Sequence, residues 1–186
     1  HEIMAGPVYR IPFSKSSIEF SLPPAMQATE VISRQVQPVK DPKLAIDQAL
    51  ATPISAPPLH QLAKAGDRVC IVFTDITRSS PDHLLVPALL RELKKAGVQD
   101  QDITLLCGTG MHRASTHAER VTKLGGSVAA RYRVIDNQPQ ETSALVDLGV
   151  TPGGVPVSVH RSVVEADLAL ATGIVEPHQY AGYSGG

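Results

Sequence analysis

At 186 residues the chain is long enough for one domain with a sizeable hydrophobic core and too short for two ordinary ones. Its 42% apolar and 19% charged residues, with 14 Gly, 15 Pro and no internal repeat, exclude disorder, collagen-like repeats and coiled coil. The 17 Lys and Arg nearly cancel the 18 Asp and Glu, which leaves no basic field for nucleic acid and no polybasic patch for a membrane surface, and no run approaches the ~20 apolar residues of a span.

Tyr9, Ile11 and Phe13 alternate with polar neighbours, as do Ile18, Phe20 and Leu22, and Ser14-Lys15-Ser16 lies between them. This period of two predicts an N-terminal β-hairpin with one buried face. Asp41-Pro42 supplies an N-cap and a first helical residue for a helix that Pro53 ends, and a second short helix is expected over Leu59 to Ala65, stopped by Gly66.

From Arg68 the pattern changes. Val69 to Phe73 is a continuous apolar run, Thr74 to Arg78 a polar turn, and Ser80-Pro81 opens a helix through Ala96 whose apolar stripe reads Leu85, Ala88, Leu89, Leu93 and Ala96. Pro87 falls early enough to kink this helix without breaking it. Ile103 to Cys107 is the next strand, Gly108 to Arg113 its exit loop, and Thr116 to Leu124 a helix closed by Gly125-Gly126. Tyr132 to Ile135, Val155 to Val159 and Leu168 to Ala171 supply further strands, with a helical turn around Val163 to Ala166. Strands alternating with helices predict an α/β fold, a mainly parallel, Rossmann-like sheet with flanking helices, preceded by the hairpin. One domain over 1–186 is expected, with hairpin and short helices in 1–66 and the α/β core in 67–186. The scarcity of aromatic residues, three Phe, four Tyr and no Trp, suits strands of Val, Leu and Ile buried on both faces. Cys70 and Cys107 sit in apolar runs without metal-binding spacing and are expected as buried reduced thiols, which points to a cytoplasmic setting.

Ligands of such sheets collect outside the carboxyl ends of the strands, so three loops matter. In Asp75-Ile76-Thr77-Arg78 the guanidinium suits a carboxylate or phosphate and Asp75 suits a hydroxyl or the fixing of that arginine; an Asx turn beside a solvated Arg78 explains the same residues. Gly108-Thr109-Gly110-Met111-His112-Arg113 lets backbone approach a ligand, and His112 can transfer a proton near neutral pH. Arg113 stands where a dinucleotide fingerprint needs its third glycine, which disfavours an NAD-dependent dehydrogenase. The third loop, Gly173 to Gly186, concentrates His178, Tyr180, Tyr183, Ser184 and four glycines after an apolar strand. His60, His83, His117 and His160 fall in helix or strand patterns and are expected in packing or surface positions; His1 is assigned no role.

In order and separation, DxTR (Asp75 to Arg78), GTGxHR (Gly108 to Arg113) and GxxxPHxxAGYSGG (Gly173 to Gly186) resemble the N-terminal domain of the nickel-dependent lactate racemase family, across at least Gly66 to Gly186. The resemblance implies a nickel pincer nucleotide as cofactor and a small 2-hydroxy acid as substrate, racemised through reversible hydride transfer from carbon 2. It also implies His112 and His178 as the two acid/base groups and Arg78 as the binder of the substrate carboxylate, with Asp75, Ile76, Thr77 and Arg78 also touching the cofactor. In the family a covalent lysine and a nickel-binding histidine follow the YSGG run, and a second, smaller domain covers the cleft. No metal ligand is therefore assigned within these residues, the C-terminal domain is expected in a longer parent, and the 186 residues alone are expected to be inactive. The competing possibility is a non-catalytic α/β module in which Arg78, Arg113 and the glycine-rich loops hold an anion or nucleotide.

Overall fold

Alternating apolar residues make a ribbon, but only a second layer can bury its face. In the computed structural model, which describes residues 7–32, 34 and 36–185, the chain divides into two compact units, 1–38 and 39–186. His1 and Gly186 lie outside the described residues. The first unit carries strands β1 (Val8–Phe13) and β2 (Ser16–Ser21), paired antiparallel with Tyr9 opposite Phe20 and Ile11 opposite Ile18. Ser14, at φ 53, is the left-handed residue of the tight turn. The hairpin therefore forms as expected, but its apolar face is not buried: Phe13 is 59% exposed and Ile11 48%. A lone two-stranded ribbon has no layer of its own to cover that face.

In the second unit Asp41 caps helix α1 (Pro42–Ala51), accepting a hydrogen bond from the Leu44 amide at 3.0 Å. Helix α2 (Leu59–Leu62) is shorter than expected because Ala63 already turns extended. Strand β3 (Val69–Thr74), helix α3 (Asp82–Lys95), strand β4 (Ile103–Gly108), helices α4 (His117–Leu124) and α5 (Gly126–Arg131), and strand β5 (Arg133–Asp136) follow. Gly125, at φ 83, ends α4 as its sequence position predicts. Gly126, however, starts α5 instead of continuing the stop, and Val128 buries to anchor that extra turn.

The remaining elements are strands β6 (Leu145–Val150) and β7 (Pro156–His160), helix α6 (Arg161–Val164), strand β8 (Leu168–Ala171), and the two-residue strands β9 (Pro177–His178) and β10 (Gly182–Tyr183). The main sheet is parallel throughout, in the order β5-β4-β3-β8. The strand expected at Val155 to Val159 exists as β7 but lies outside this sheet, pairing antiparallel with β6. Among the described residues no helix is long and apolar enough to cross a membrane.

Val69, Ile71 and Phe73 of β3 and Ile103, Leu105 and Cys107 of β4 pack with α3, α4 and α5 in one core. Pro87 lies inside α3 without interrupting it. Of the expected stripe of α3, Ala88 and Leu93 are buried and Leu89 and Ala96 pack partly buried against the core, while Leu85 is only half-buried and Val86 and Leu90 join the buried face. Asp82, one turn before Val86 on the same face, is drawn fully into the interior. From β3 the chain steps outward through β4 to β5, then returns to the other side of β3 with β8. Such a reversal opens a crevice at the carboxyl ends of β3 and β8, where a ligand is least obstructed by crossing connections.

Candidate functional site

The parallel register sets Thr74 beside Gly108, so the loops leaving β3 and β4 start side by side. Asp75, the first residue beyond β3, is buried. One of its oxygens, Oδ1, accepts from the Thr77 amide at 3.2 Å and the Thr77 hydroxyl at 2.7 Å, forming the Asx turn that the sequence allows. The other oxygen, Oδ2, lies 2.5 Å from His112 Nδ1. A carboxylate only accepts, so Nδ1 carries the hydrogen and Nε2 of the neutral ring keeps its lone pair. Burial alone pushes the Asp75 carboxyl upward, but the hydrogen bonds from Thr77 and His112, together with the positive charge the ring bears when protonated, outweigh it and hold the group below the ordinary aspartate value.

His112 is itself fixed from behind. Its amide donates to the Thr109 carbonyl at 2.9 Å, Gly110 takes the left-handed conformation the turn requires, and the Thr109 hydroxyl donates to the Asn137 carbonyl at the end of β5. The imidazole stays about half exposed. Asp75, Ile76, Thr77, His112, Arg113 and Ser115 line a cavity of about 260 Å³. It is thus a small recess with mostly apolar walls and one oriented histidine.

Arg78 leaves the same loop exposed, and among the described residues nothing accepts a hydrogen bond from its guanidinium. Arg113 is different: it forms a two-pronged pair with Glu119, at 2.9 and 2.7 Å, which turns it toward the start of α4. His178, on the third loop, accepts at Nδ1 from the Tyr180 and Ala181 amides, each at 3.2 Å. Its neutral ring therefore bears hydrogen on Nε2, the opposite tautomer to His112. Ser184 closes this loop, accepting from the Glu176 amide at 3.1 Å and donating to the Ile174 carbonyl at 3.1 Å. The structure thus gathers Asp75, Ile76, Thr77 and His112 around one cavity, whereas Arg78 and His178 do not line it. Among the described residues no three His, Cys, Asp or Glu side chains come together as a metal site.

Two buried residues behind the carboxyl ends of β3 and β8 carry no local signal of function. Asp82 reads as an ordinary acidic residue at a helix start and Lys123 as a solvated lysine near a helix end, yet they form a buried ion pair at 2.8 Å. The helical register offered the one clue, since Asp82 heads the stripe of Val86, Leu90 and Leu93 at spacings of four, four and three.

The family model described as "Lactate racemase N-terminal domain" matches residues 13–186. A curated lactate racemase from Lactiplantibacillus plantarum is 34% identical over 141 residues, 76% of this chain and 33% of the relative. A second, from Thermoanaerobacterium thermosaccharolyticum, is 29% identical over 180 residues, 95% of this chain and 42% of the relative. The chain therefore spans between a third and somewhat over two-fifths of these relatives' length. Among solved structures, the lactate racemase apoprotein from T. thermosaccharolyticum superposes with a TM-score of 0.76 at 29% identity, covering 97% of this chain and 42% of that one. A structural-genomics protein from Thermotoga maritima superposes with a TM-score of 0.65 at 25% identity, covering 77% of this chain and 36% of that one.

Proposed function

This chain belongs to the lactate racemase N-terminal domain family, and from that premise we propose that it is the N-terminal part of a racemase acting on lactate or another small 2-hydroxy acid. The observation that carries the proposal is the Asp75–His112 pair, 2.5 Å apart, on a cavity at the carboxyl ends of the central strands. Racemisation must break the bond from carbon 2 to hydrogen, and beside an ionised carboxylate that hydrogen is scarcely acidic. Loss of hydride coupled to loss of the hydroxyl proton avoids a carbanion, and the planar keto acid takes hydride back on either face. The residues' task is then to move the hydroxyl proton and to hold the carboxylate.

His112 Nε2 accepts the hydroxyl proton, and Asp75 stabilises the imidazolium that results while keeping the ring in the productive tautomer. His178 serves the opposite enantiomer; it exchanges its amide contacts at Nδ1 for a proton in doing so. Arg78, unengaged among the described side chains, binds the substrate carboxylate with two parallel hydrogen bonds. The loop Asp75 to Arg78 fits the organic part of a nickel pincer nucleotide: Ile76 offers a partly exposed apolar face on the cavity, Arg78 of the same loop brings an exposed guanidinium, and Thr77, its amide and hydroxyl both given to Asp75, shapes the turn. When bound, that group supplies a reversible acceptor for the hydrogen and electron pair leaving carbon 2. The family resemblance assigns its metal and covalent anchors to residues beyond these 186, so the chain by itself is proposed not to racemise. A cytoplasmic setting suits the two buried free thiols, Cys70 and Cys107.

The test uses the full-length parent. His112→Ala and His178→Ala are each expected to lower racemisation by about 100-fold or more at unchanged circular dichroism. A near-parental rate in either variant would refute the two-base assignment.

A further inference from the structure

The carboxyl end of β3, the exit of β8 and the start of α3 meet over one buried acid. Asp82 is 0% exposed. Its Oδ2 accepts from the Thr74 hydroxyl at 2.7 Å, and its Oδ1 accepts from the Ser80 hydroxyl at 3.1 Å and the Thr172 hydroxyl at 2.7 Å. Lys123, reaching in from α4 and 6% exposed, lies 2.8 Å from Asp82 Oδ2. Its ammonium donates to the Thr74 hydroxyl at 2.9 Å and to two main-chain carbonyls, Arg78 at 3.1 Å and Ser80 at 3.0 Å. Those carbonyls close the far end of the Asp75 to Arg78 loop, whose other ties among the described residues are the Arg78 amide to the Asp75 carbonyl at 3.2 Å, the Asx turn, and the Asp75–His112 contact at its near end.

An apolar pair of similar volume would pack this space at least as well, because a buried ion pair seldom improves on one. What an apolar pair cannot do is hold carbonyl oxygens. We propose that Lys123 and Asp82 are positioning residues: Asp82 fixes the ammonium at the junction of β3, β8 and α3, and the ammonium fixes the carbonyls of Arg78 and Ser80. The Cα of Arg78, and hence the direction in which its guanidinium leaves the loop, follows from that grip. The loop-positioning claim stands on the hydrogen bonds alone; its kinetic consequence rests on the reading of Arg78 as the carboxylate binder.

The experiment compares the cofactor-loaded full-length parent with its Lys123→Met/Asp82→Asn double variant, which removes both charges together. Amide hydrogen exchange in the segment 76–80 is expected to quicken about tenfold or more, and KM for the hydroxy acid to rise by about tenfold with a smaller change in kcat. Exchange and KM both unchanged, in a variant that melts like the parent, overturn the proposal. Faster exchange with unchanged KM keeps the positioning role and removes the carboxylate role of Arg78, which Arg78→Lys checks independently. Should the double variant not fold, Lys123→Leu/Asp82→Asn, which also puts no donor at position 123, takes its place; parental exchange rates in its loop overturn the proposal equally.

Discussion

A carboxylate has more acceptor sites than one partner can fill, and Asp75 uses this to join two loops. Its Oδ1 closes the Asx turn through Thr77, leaving Oδ2 for His112. The motif residues were visible in the sequence, but their partnership was not, because Asp75 and His112 stand 37 positions apart. Only the parallel pairing of Thr74 with Gly108 makes them neighbours. Replacing Asp75 by Asn keeps the size and removes the charge that steadies the protonated ring, so in the full-length parent kcat is expected to fall by about 100-fold or more, with KM little changed. Steady-state kinetics of the folded variant check this, and a parental kcat counts against the dyad. Arg113 teaches the converse lesson. Its type and place suggested an anion site, yet Glu119, six positions on, claims the guanidinium.

Among the elements, helix α4 shows how much a local pattern specifies. Thr116 accepts from the Glu119 amide at 3.2 Å and Glu119 accepts from the Thr116 amide at 2.8 Å, a reciprocal capping box within four residues. Arg113 adds the strongest influence on Glu119, followed by the Thr116 amide, and together they pull its carboxyl down to about 2 from 4.5. A depressed carboxyl contributes stability above its unfolded value and loses that contribution as pH falls through the folded one. The cap is thus fully present above about 4.5 and is lost on descent toward about 2. Carboxyl-carbon titration by NMR is expected to give a Glu119 midpoint near 2, and Arg113→Ala to move it upward; an ordinary glutamate midpoint in the parent refutes the pair. Elements governed by longer-range contacts were less legible. Helix α5 starts on a glycine and depends on burying Val128, and the apolar face of the β1–β2 hairpin is specified by alternation although its unit provides no layer to cover it.

For the molecule as a whole, burial on both faces of the central strands has a chemical readout. Cys70 and Cys107 are each 1% exposed. Burial pushes the Cys70 thiol up to about 11, and burial together with the nearby charges of Asp136 and Asp75 pushes Cys107 up to about 12. Neither forms appreciable thiolate at pH 8, so both are expected to resist iodoacetamide in the native chain and to react only on unfolding. Rapid alkylation of either thiol under native conditions, followed by mass spectrometry, would contradict the packing of β3 and β4.

Local features of the fold follow from short residue patterns. Unbroken apolar runs made the central strands, Asp41-Pro42 and Thr116 began helices, Gly125 ended one, and three loops at strand ends carried the candidate site residues, because each of these features acts within a few positions of the chain. The order β5-β4-β3-β8, and with it which loops face one another, is set by long-range packing. Asp82 and Thr172 meet across 90 positions, and Lys123 reaches the Arg78 carbonyl across 45. Such contacts depend on where a strand inserts beside its neighbours, and that choice is settled by the shared burial of the whole sheet, not by any short pattern.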